Sequence, residues 1–320
     1  MAIKKIQSLE EWEGMQTPIA LALGMFDGVH LGHRAVLNRC IEFAKAENLT
    51  PAVLTFWPHP SHLIRPDDPT QMIQNIVHKK DLLENIGIQL LIEIEFTRSF
   101  AAIEADQFLP LLHSKIHSLK SLFVGENFRF GKKRIGDLQL LSSQGKKLGI
   151  QIHGLPRKLY KGQPISSSRI RKELADGNLS EVNFMLNRPY ACSGKVITGK
   201  QLGRTIGFPT LNIAYDPEKR PRFGVYLVRV HSESDSAWGV ANFGLRPTVN
   251  SETNKPLLEI HVLEDSCSWT TGKELKIDWI QFIRSEQKFA SLDDLKQQIK
   301  LDLEDSKKFL LKMKIPPLII

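Results

Sequence analysis

Cysteine is scarce in this chain: 3 of 320 residues, at Cys40, Cys192 and Cys267. They are far apart, odd in number and without C-x-x-C spacing. The sequence therefore offers neither a disulfide framework nor a cysteine zinc site, and all three read as core or bland surface. Long apolar runs are missing too. No stretch approaches the roughly 18 residues of a membrane span. The start, with Lys4, Lys5, Glu10 and Glu11, lacks the apolar core of a secretory leader, so a cytoplasmic protein with no membrane partner is expected. Internal repeats, low-complexity tracts and a polybasic tail are also absent. What charge there is, 43 Lys+Arg against 35 Asp+Glu for a net of +8, is spread along the chain. Such a balance suits anionic ligands, whether nucleic acid or phosphorylated small molecules. With 42% apolar residues, the chain is long enough for two cores of ordinary domain size.

Short apolar runs alternate with amphipathic stretches from about residue 18 to 155, which predicts βαβ units and a mostly parallel, Rossmann-like sheet in an α/β domain. The expected strands cover 19–23, 52–56, 89–94, 119–124 and 150–155. Val36, Leu37, Cys40, Ile41 and Ala44 recur at helical spacing between the first two. From Tyr190 to Ile283 the texture changes to short strands with turn residues, which predicts a small antiparallel barrel or sandwich. Ser291 and Asp294 then form a capping box. Leu295, Ile299, Leu303, Leu310 and Met313 give a terminal helix one apolar stripe that should pack on the barrel. The division is expected at 1–187 and 188–320.

The segment Gly24-Met25-Phe26-Asp27-Gly28-Val29-His30-Leu31-Gly32-His33 lies between the first strand and the first helix. An open parallel sheet exposes its ligand crevice there, and a helix amino terminus offers N–H groups to phosphate. The glycines permit a sharp turn, and two histidines three residues apart can both face the crevice. A lone histidine at a helix start is usually only a cap, but the ten-residue context points to a phosphate site. A zinc reading lacks a third ligand.

This H-x-G-H after G-x-F-D-G resembles the nucleotidyltransferase superfamily, and Ile165-Ser166-Ser167-Ser168-Arg169-Ile170-Arg171 resembles its second signature, I-S-S-T-x-x-R. The serines supply hydroxyls and helix-terminal N–H groups, and Arg171, or Arg169 beside it, can pair with a triphosphate. Phe56-Trp57-Pro58-His59-Pro60 and Val124-Gly125-Glu126-Asn127-Phe128-Arg129-Phe130-Gly131 both follow expected strands. They resemble segments of the bacterial bifunctional riboflavin kinase and FAD synthetase family. The resemblance implies that the first domain transfers AMP from ATP to FMN, with His30, His33 and Arg171 catalytic. ATP would lie on Gly24, Phe26, Asp27, Gly28, Ser166, Ser167, Ser168 and Arg169, and the flavin against Phe56, Pro58, His59, Asn127, Phe128 and Arg129.

A decoy follows. Gly194 to Gln201 comes within one residue of a Walker A loop, but Gln201 lacks the hydroxyl, and Val196-Ile197-Thr198 reads as strand where a wrapping loop is required. The run Gly207-Phe208-Pro209-Thr210-Leu211-Asn212 instead resembles the riboflavin kinase signature G-x-P-T-A-N. Gly199, Lys200, Gly203, Gly207 and Pro209 would then close over ATP, and Thr210 and Asn212 would offer hard oxygens to magnesium. Gly239 to Thr248 resembles the G-V-A-N-I-G-x-x-P-T run, and Leu258-Glu259-Ile260-His261 the L-E-x-H. Glu259 is thereby implied as general base toward the riboflavin 5′-hydroxyl, and Arg284 as part of the flavin site. The stretch Trp269 to Gly272 departs from the family's L-Y-G. One alternative is therefore a nucleotidyltransferase whose barrel binds flavin but phosphorylates it poorly. A class I aminoacyl-tRNA synthetase relative would also carry H-x-G-H, but the anticodon-binding region and S-K loop it needs are not found. The expected ligands are riboflavin, FMN, FAD, ATP and Mg2+, with no nucleic acid, in a monomer with at most weak self-association.

Overall fold

The computed structural model describes residues 3–6, 17–199, 202–215, 219–245, 256–264 and 269–312. The chain divides into two compact units, Met1–Arg169 and Ile170–Ile320.

In the first unit a six-stranded sheet runs β1 (Lys4–Ile6), β4 (Leu90–Ile94), β3 (Thr50–Phe56), β2 (Ile19–Leu23), β5 (Leu119–Gly125), β6 (Gln151–Leu155), with every neighbouring pair parallel. The helices are α1 (Leu31–Ala46), the short α2 (Ser61–Ile64), α3 (Ile76–Asn85), the short α4 (Arg98–Ala101), α5 (Ala105–Lys115) and α6 (Leu138–Leu148). All five residues of β2 are buried, which is why this strand reads as a continuous apolar run rather than an alternating one. The sequence places β2 to β6 to within a few residues. It misses β1, whose three residues include two exposed lysines. In α1, Val36, Leu37, Cys40 and Ala44 face inward. Cys40 lies in that core as expected, its Sγ 3.2 Å from the Ala20 carbonyl and its thiol pushed up to about 12 by burial. Strand order reverses at β2, with β3 on one side and β5 on the other. The loops leaving the carboxyl ends of β2, β3 and β5 are thus neighbours at a topological switch point, where open α/β sheets bind ligands. A two-stranded ribbon, β7 (Leu159–Tyr160) with β8 (Gln163–Pro164), precedes α7 (Ser167–Asp176).

The second unit holds a closed antiparallel barrel of β9 (Tyr190–Ile197), β10 (Leu211–Ala214), β11 (Gly224–His231), β12 (Ser236–Leu245), β13 (Pro256–Val262) and β14 (Glu274–Ser285), joined in the order β10-β13-β12-β11-β14-β9. Closure leaves no free sheet edge. Trp279 is fully buried at its centre, edge-on to Tyr226 at 4.7 Å and to Phe243 at 5.3 Å between ring centroids. Its indole Nε1 donates to the buried Cys192 Sγ at 3.2 Å. The helix α8 (Leu179–Leu186) is tied to the barrel by Asn183, which donates to the Trp279 carbonyl at 2.9 Å and accepts from the Tyr190 N–H at 2.7 Å. A single turn, α9 (Leu202–Thr205), and the long α10 (Leu292–Lys312) complete the unit. Ser291 caps α10 as expected, with Asp294 N–H donating to Ser291 Oγ at 3.1 Å, and the Ser291 hydroxyl in turn donates to Asp294 Oδ2 at 2.8 Å. The fully buried positions of α10, however, are polar: Asp302 and Ser306. Arg284 on β14 meets Asp302 with Nε and Nη2, both at 2.8 Å, so an ion pair anchors the helix alongside its half-buried leucines.

Candidate active sites

The loop leaving β2 carries an unusual backbone. Phe26, Gly28 and Val29 have φ of 49°, 86° and 39°, a left-handed run that non-glycine residues seldom adopt. It is held from several sides. Asp27 is buried and accepts from the Ile73 N–H at 3.0 Å, while its carbonyl accepts from Ser167 Oγ at 2.8 Å. That last bond joins the two phosphate signatures across 140 residues of chain.

His30 is the N-cap of α1. Its Nδ1 accepts from the His33 backbone N–H at 3.2 Å, so the neutral ring carries its hydrogen on Nε2. The two imidazoles stack with centroids 3.6 Å apart, and Phe26 stands edge-on to His33 at 5.4 Å. The cap reading and the phosphate reading of these histidines are therefore compatible: one ring nitrogen serves the helix and the other nitrogen is a donor. Gly32 has a steric reason, since a Cβ there would press within 3.1 Å of the His30 ring and 3.5 Å of the Ile165 carbonyl. Gly24 is likewise pressed against the Phe26 ring. Phe26 itself is 2% exposed and forms the wall behind His33, so only its backbone can face a ligand.

Ser166 Oγ accepts from the Arg169 N–H at 3.2 Å, at the start of α7, and Ser168 is exposed in its first turn. The Arg169 guanidinium binds the Tyr160 and Gln163 carbonyls at 3.0 and 3.2 Å and lies over the Tyr160 ring. Those contacts clamp the β7–β8 ribbon, and Arg171, farther along α7, is half-buried.

The expected flavin segments stand at the ends of β3 and β5. Phe56 packs edge-on to Phe96 and Phe100, and the half-buried Phe128 stacks on Phe130 at 5.7 Å. Pro58 and Asn127 are exposed, and His59 Nδ1 accepts from the Ser61 N–H at 3.1 Å. Arg129 pairs with Asp137, the N-cap of α6, at 3.3 Å. Behind this crevice lies a residue that no motif marks. Lys79 of α3 is 1% exposed, with Nζ 3.5 Å from the Met25 carbonyl and 3.3 Å from Thr55 Oγ1.

In the barrel unit, strand register assembles the second site. Glu259 on β13 is the cross-strand partner of Asn212 on β10 and of Asn242 on β12. The intervening Leu258 and Ile260 point into the barrel core, fully buried, so Glu259 and His261 share the outer face. Asn212 is 6% exposed, and a Cβ at Gly199 would fall 2.2 Å from its amide nitrogen, so Gly199 lies directly on the Asn212 side chain. Gly203 approaches the Phe208 carbonyl and Thr210 Oγ1 in the same way, and Gly207 turns the chain with φ of 89°. His261 Nδ1 is 2.9 Å from the Pro209 carbonyl, which docks the P-T-x-N segment on β13. Lys200 lies outside the described residues, as does the Arg246–Thr248 end of the G-V-A-N run. The Walker-like Gly194 sits within β9, which runs on through Val196 and Ile197, so that part of the segment is strand. Sequence reasoning missed Asn242 as a site candidate; its alternation with the buried Ala241 and Phe243 is the signal that places it beside Glu259. Arg284, assigned to flavin by resemblance, has Nε and Nη2 on Asp302 and Nη1 on the Ser285 carbonyl at 3.0 Å.

The oxygen set of Thr210 and Asn212 fits magnesium. Hydroxyl and amide oxygens are hard donors, and among the described residues no cluster of three His, Cys, Asp or Glu would hold a metal unaided. An ion here would complete its shell with phosphate oxygens and water.

The FAD synthetase family model matches residues 13–169 and the riboflavin kinase family model residues 186–310. The bifunctional riboflavin kinase/FMN adenylyltransferase of Escherichia coli K12 is 38% identical over 92% of this chain and 93% of that protein. Its counterpart in Bacillus subtilis is 33% identical over 91% and 92%. The crystal structure of a macrolide-efflux protein from Streptococcus pneumoniae superposes with a TM-score of 0.87 at 26% identity, over 96% of this chain and 99% of that one. Among the described residues no helix here is long and apolar enough to cross a membrane. With two matched domains in order and full-length relatives above 30% identity, the chain belongs to the bifunctional riboflavin kinase/FMN adenylyltransferase family.

Proposed function

We propose that the protein phosphorylates riboflavin at the Glu259 site and adenylylates the resulting FMN at the His30–His33 site, giving FAD and pyrophosphate. The observation that carries the second assignment is the 2.8 Å bond from Ser167 to the Asp27 carbonyl, which brings both phosphate signatures to one helix-start crevice. There the FMN phosphate oxygen attacks the α-phosphorus of ATP while the bond to the pyrophosphate oxygen breaks. His30 Nε2–H and the His33 ring stand at the amino terminus of α1 as donors to the charge that builds on the departing oxygens. Arg171 and the serines of α7 hold the triphosphate. The carboxyl ends of β3 and β5 supply the flavin wall through Phe56, Pro58, His59, Asn127 and Phe128.

For the kinase step, Glu259 takes the proton of the riboflavin 5′-hydroxyl as that oxygen attacks the γ-phosphorus and ADP leaves. Magnesium, held by Thr210 and Asn212, would neutralise phosphate charge. Gly199, Gly203, Gly207 and Pro209 close over the nucleotide, Lys200 is assigned as a cation for its phosphates by its place in the motif, and Arg284 shapes the flavin side by fixing α10 through Asp302. As a functional division we propose 1–187 and 188–320, because the second phosphate signature continues through Arg171. A monomer acting in the cytoplasm on riboflavin, FMN and ATP, with no nucleic-acid partner, completes the reading. Incubation with riboflavin, ATP and magnesium, with FMN and FAD resolved by chromatography, tests it. Both products are expected. FAD only from supplied FMN would select the impaired-kinase alternative, and neither product would refute the enzyme assignment.

A further inference from the structure

Lys79 is a buried cation whose nearest hydrogen-bond partners are a hydroxyl and a carbonyl rather than a carboxylate. Its Nζ donates to Thr55 Oγ1, and Thr55 Oγ1 in turn donates to the Met25 carbonyl at 3.2 Å, which Lys79 also reaches. The Trp57 ring centroid lies 5.8 Å from the same Nζ. Met25 belongs to the nucleotide loop leaving β2, whereas Thr55 and Trp57 belong to the end of β3 that leads into Pro58 and His59. One ammonium therefore touches both substrate loops from behind. The charges facing it come from three other elements: Glu93 on β4, Asp27 in the loop and Lys5 on β1. Glu93 is itself buried and pairs with Lys5 at 2.6 Å.

Keeping a charge at this depth is costly, and a methionine of similar volume would avoid that cost. We propose that Lys79 is a positioning residue for adenylyl transfer, fixing the nucleotide loop at Met25 and the flavin segment at Thr55 and Trp57 in one mutual geometry. The inference rests on the assignment of adenylyl transfer to the His30–His33 crevice. Burial lowers the Lys79 pKa to about 8, with Glu93 and Asp27 pulling it back upward and Lys5 adding to the depression. Above that pH the neutral amine is a weaker donor and loses its attraction for the indole face.

The test compares full-length wild type, Lys79→Met and Lys79→Arg for FMN-to-FAD conversion across the alkaline range, with riboflavin phosphorylation and melting temperature measured on the same samples. Wild-type kcat/KM for FMN is expected to fall as pH rises through about 8. Lys79→Met should be about tenfold to a hundredfold lower at neutral pH, the usual effect of losing charge-assisted hydrogen bonds, and should lack that alkaline limb. Its kinase activity should match wild type and its melting temperature should be no lower. Lys79→Arg keeps the charge, so it should recover part of the activity and carry no limb near pH 8. Wild-type FAD formation and an unchanged alkaline limb in Lys79→Met would overturn the proposal. So would a parallel fall in melting temperature and in both activities, which marks a merely structural residue. An Arg variant with the wild-type limb would overturn it even if the Met variant failed to fold. No FAD from FMN in wild type would instead remove the crivice assignment on which the inference stands, and the inference with it.

Discussion

His30 illustrates how one side chain serves fold and chemistry together. Its Nδ1 caps α1 through the His33 N–H, and its stacked partner ring faces the same crevice. Replacing His33 with Ala removes a donor without removing the cap acceptor. FAD formation from FMN should drop about 10²–10³-fold, with melting temperature little changed. His30→Ala should add a cap loss of about 1 kcal/mol, readable by denaturant titration. Glu259→Gln should preserve riboflavin binding while FMN formation falls about 10²–10⁴-fold, the range for a lost general base; near-normal single-turnover phosphorylation would remove Glu259 from that role. Lys79 supplies a prediction of opposite sign for stability and activity. Its folded pKa, about 8, lies below the ordinary 10.5, so between those values the unfolded chain binds more protons than the folded one. Stability relative to Lys79→Met should therefore rise with pH through that window, while adenylyl transfer falls. Thermal melts of both proteins at several alkaline pH values measure the difference. The histidines, serines and Glu259 are candidates the sequence can nominate because they stand in local motifs of fixed spacing. Lys79 is not, because its partners Met25 and Thr55 are 54 and 24 residues away and meet it only after β2, β3 and α3 pack.

At the scale of elements, periodicity predicted what repeats and missed what is short. The fully buried β2, the α1 stripe and the long barrel strands announce themselves by runs or alternation. Strand β10, four residues after a Pro-Thr turn, has too few positions to alternate, and its identity comes from pairing with β9 and β13. The terminal helix was expected to dock by an apolar stripe, yet its most buried contact is the Arg284–Asp302 pair. Asp302→Ala leaves Arg284, 20% exposed, without its carboxylate partner. A loss of about 3–5 kcal/mol is expected, as for breaking a buried pair from one side. Weaker riboflavin binding should accompany it if α10 shapes the flavin wall. Trp279→Ala, which empties the barrel centre, should cost about 3–5 kcal/mol. In both variants the first unit should keep FMN adenylylation wherever it stays folded. Calorimetry alongside the two activity assays reads all of this.

The whole molecule presents two compact units, and adenylyl transfer is proposed for residues 1–187 and phosphorylation for residues 188–320. No residue assigned to adenylyl transfer is asked to act in phosphorylation, nor the reverse. The most direct measurement is therefore complementation by mixing. His33→Ala and Glu259→Gln proteins are each supplied with riboflavin, ATP and magnesium, alone and together, and FAD is followed by chromatography. The first variant alone should accumulate FMN, the second alone should leave riboflavin unchanged, and the mixture should produce FAD as FMN made by one protein is adenylylated by the other. A mixture that fails to make FAD, or a single variant that loses both steps at once, would contradict two separate sites.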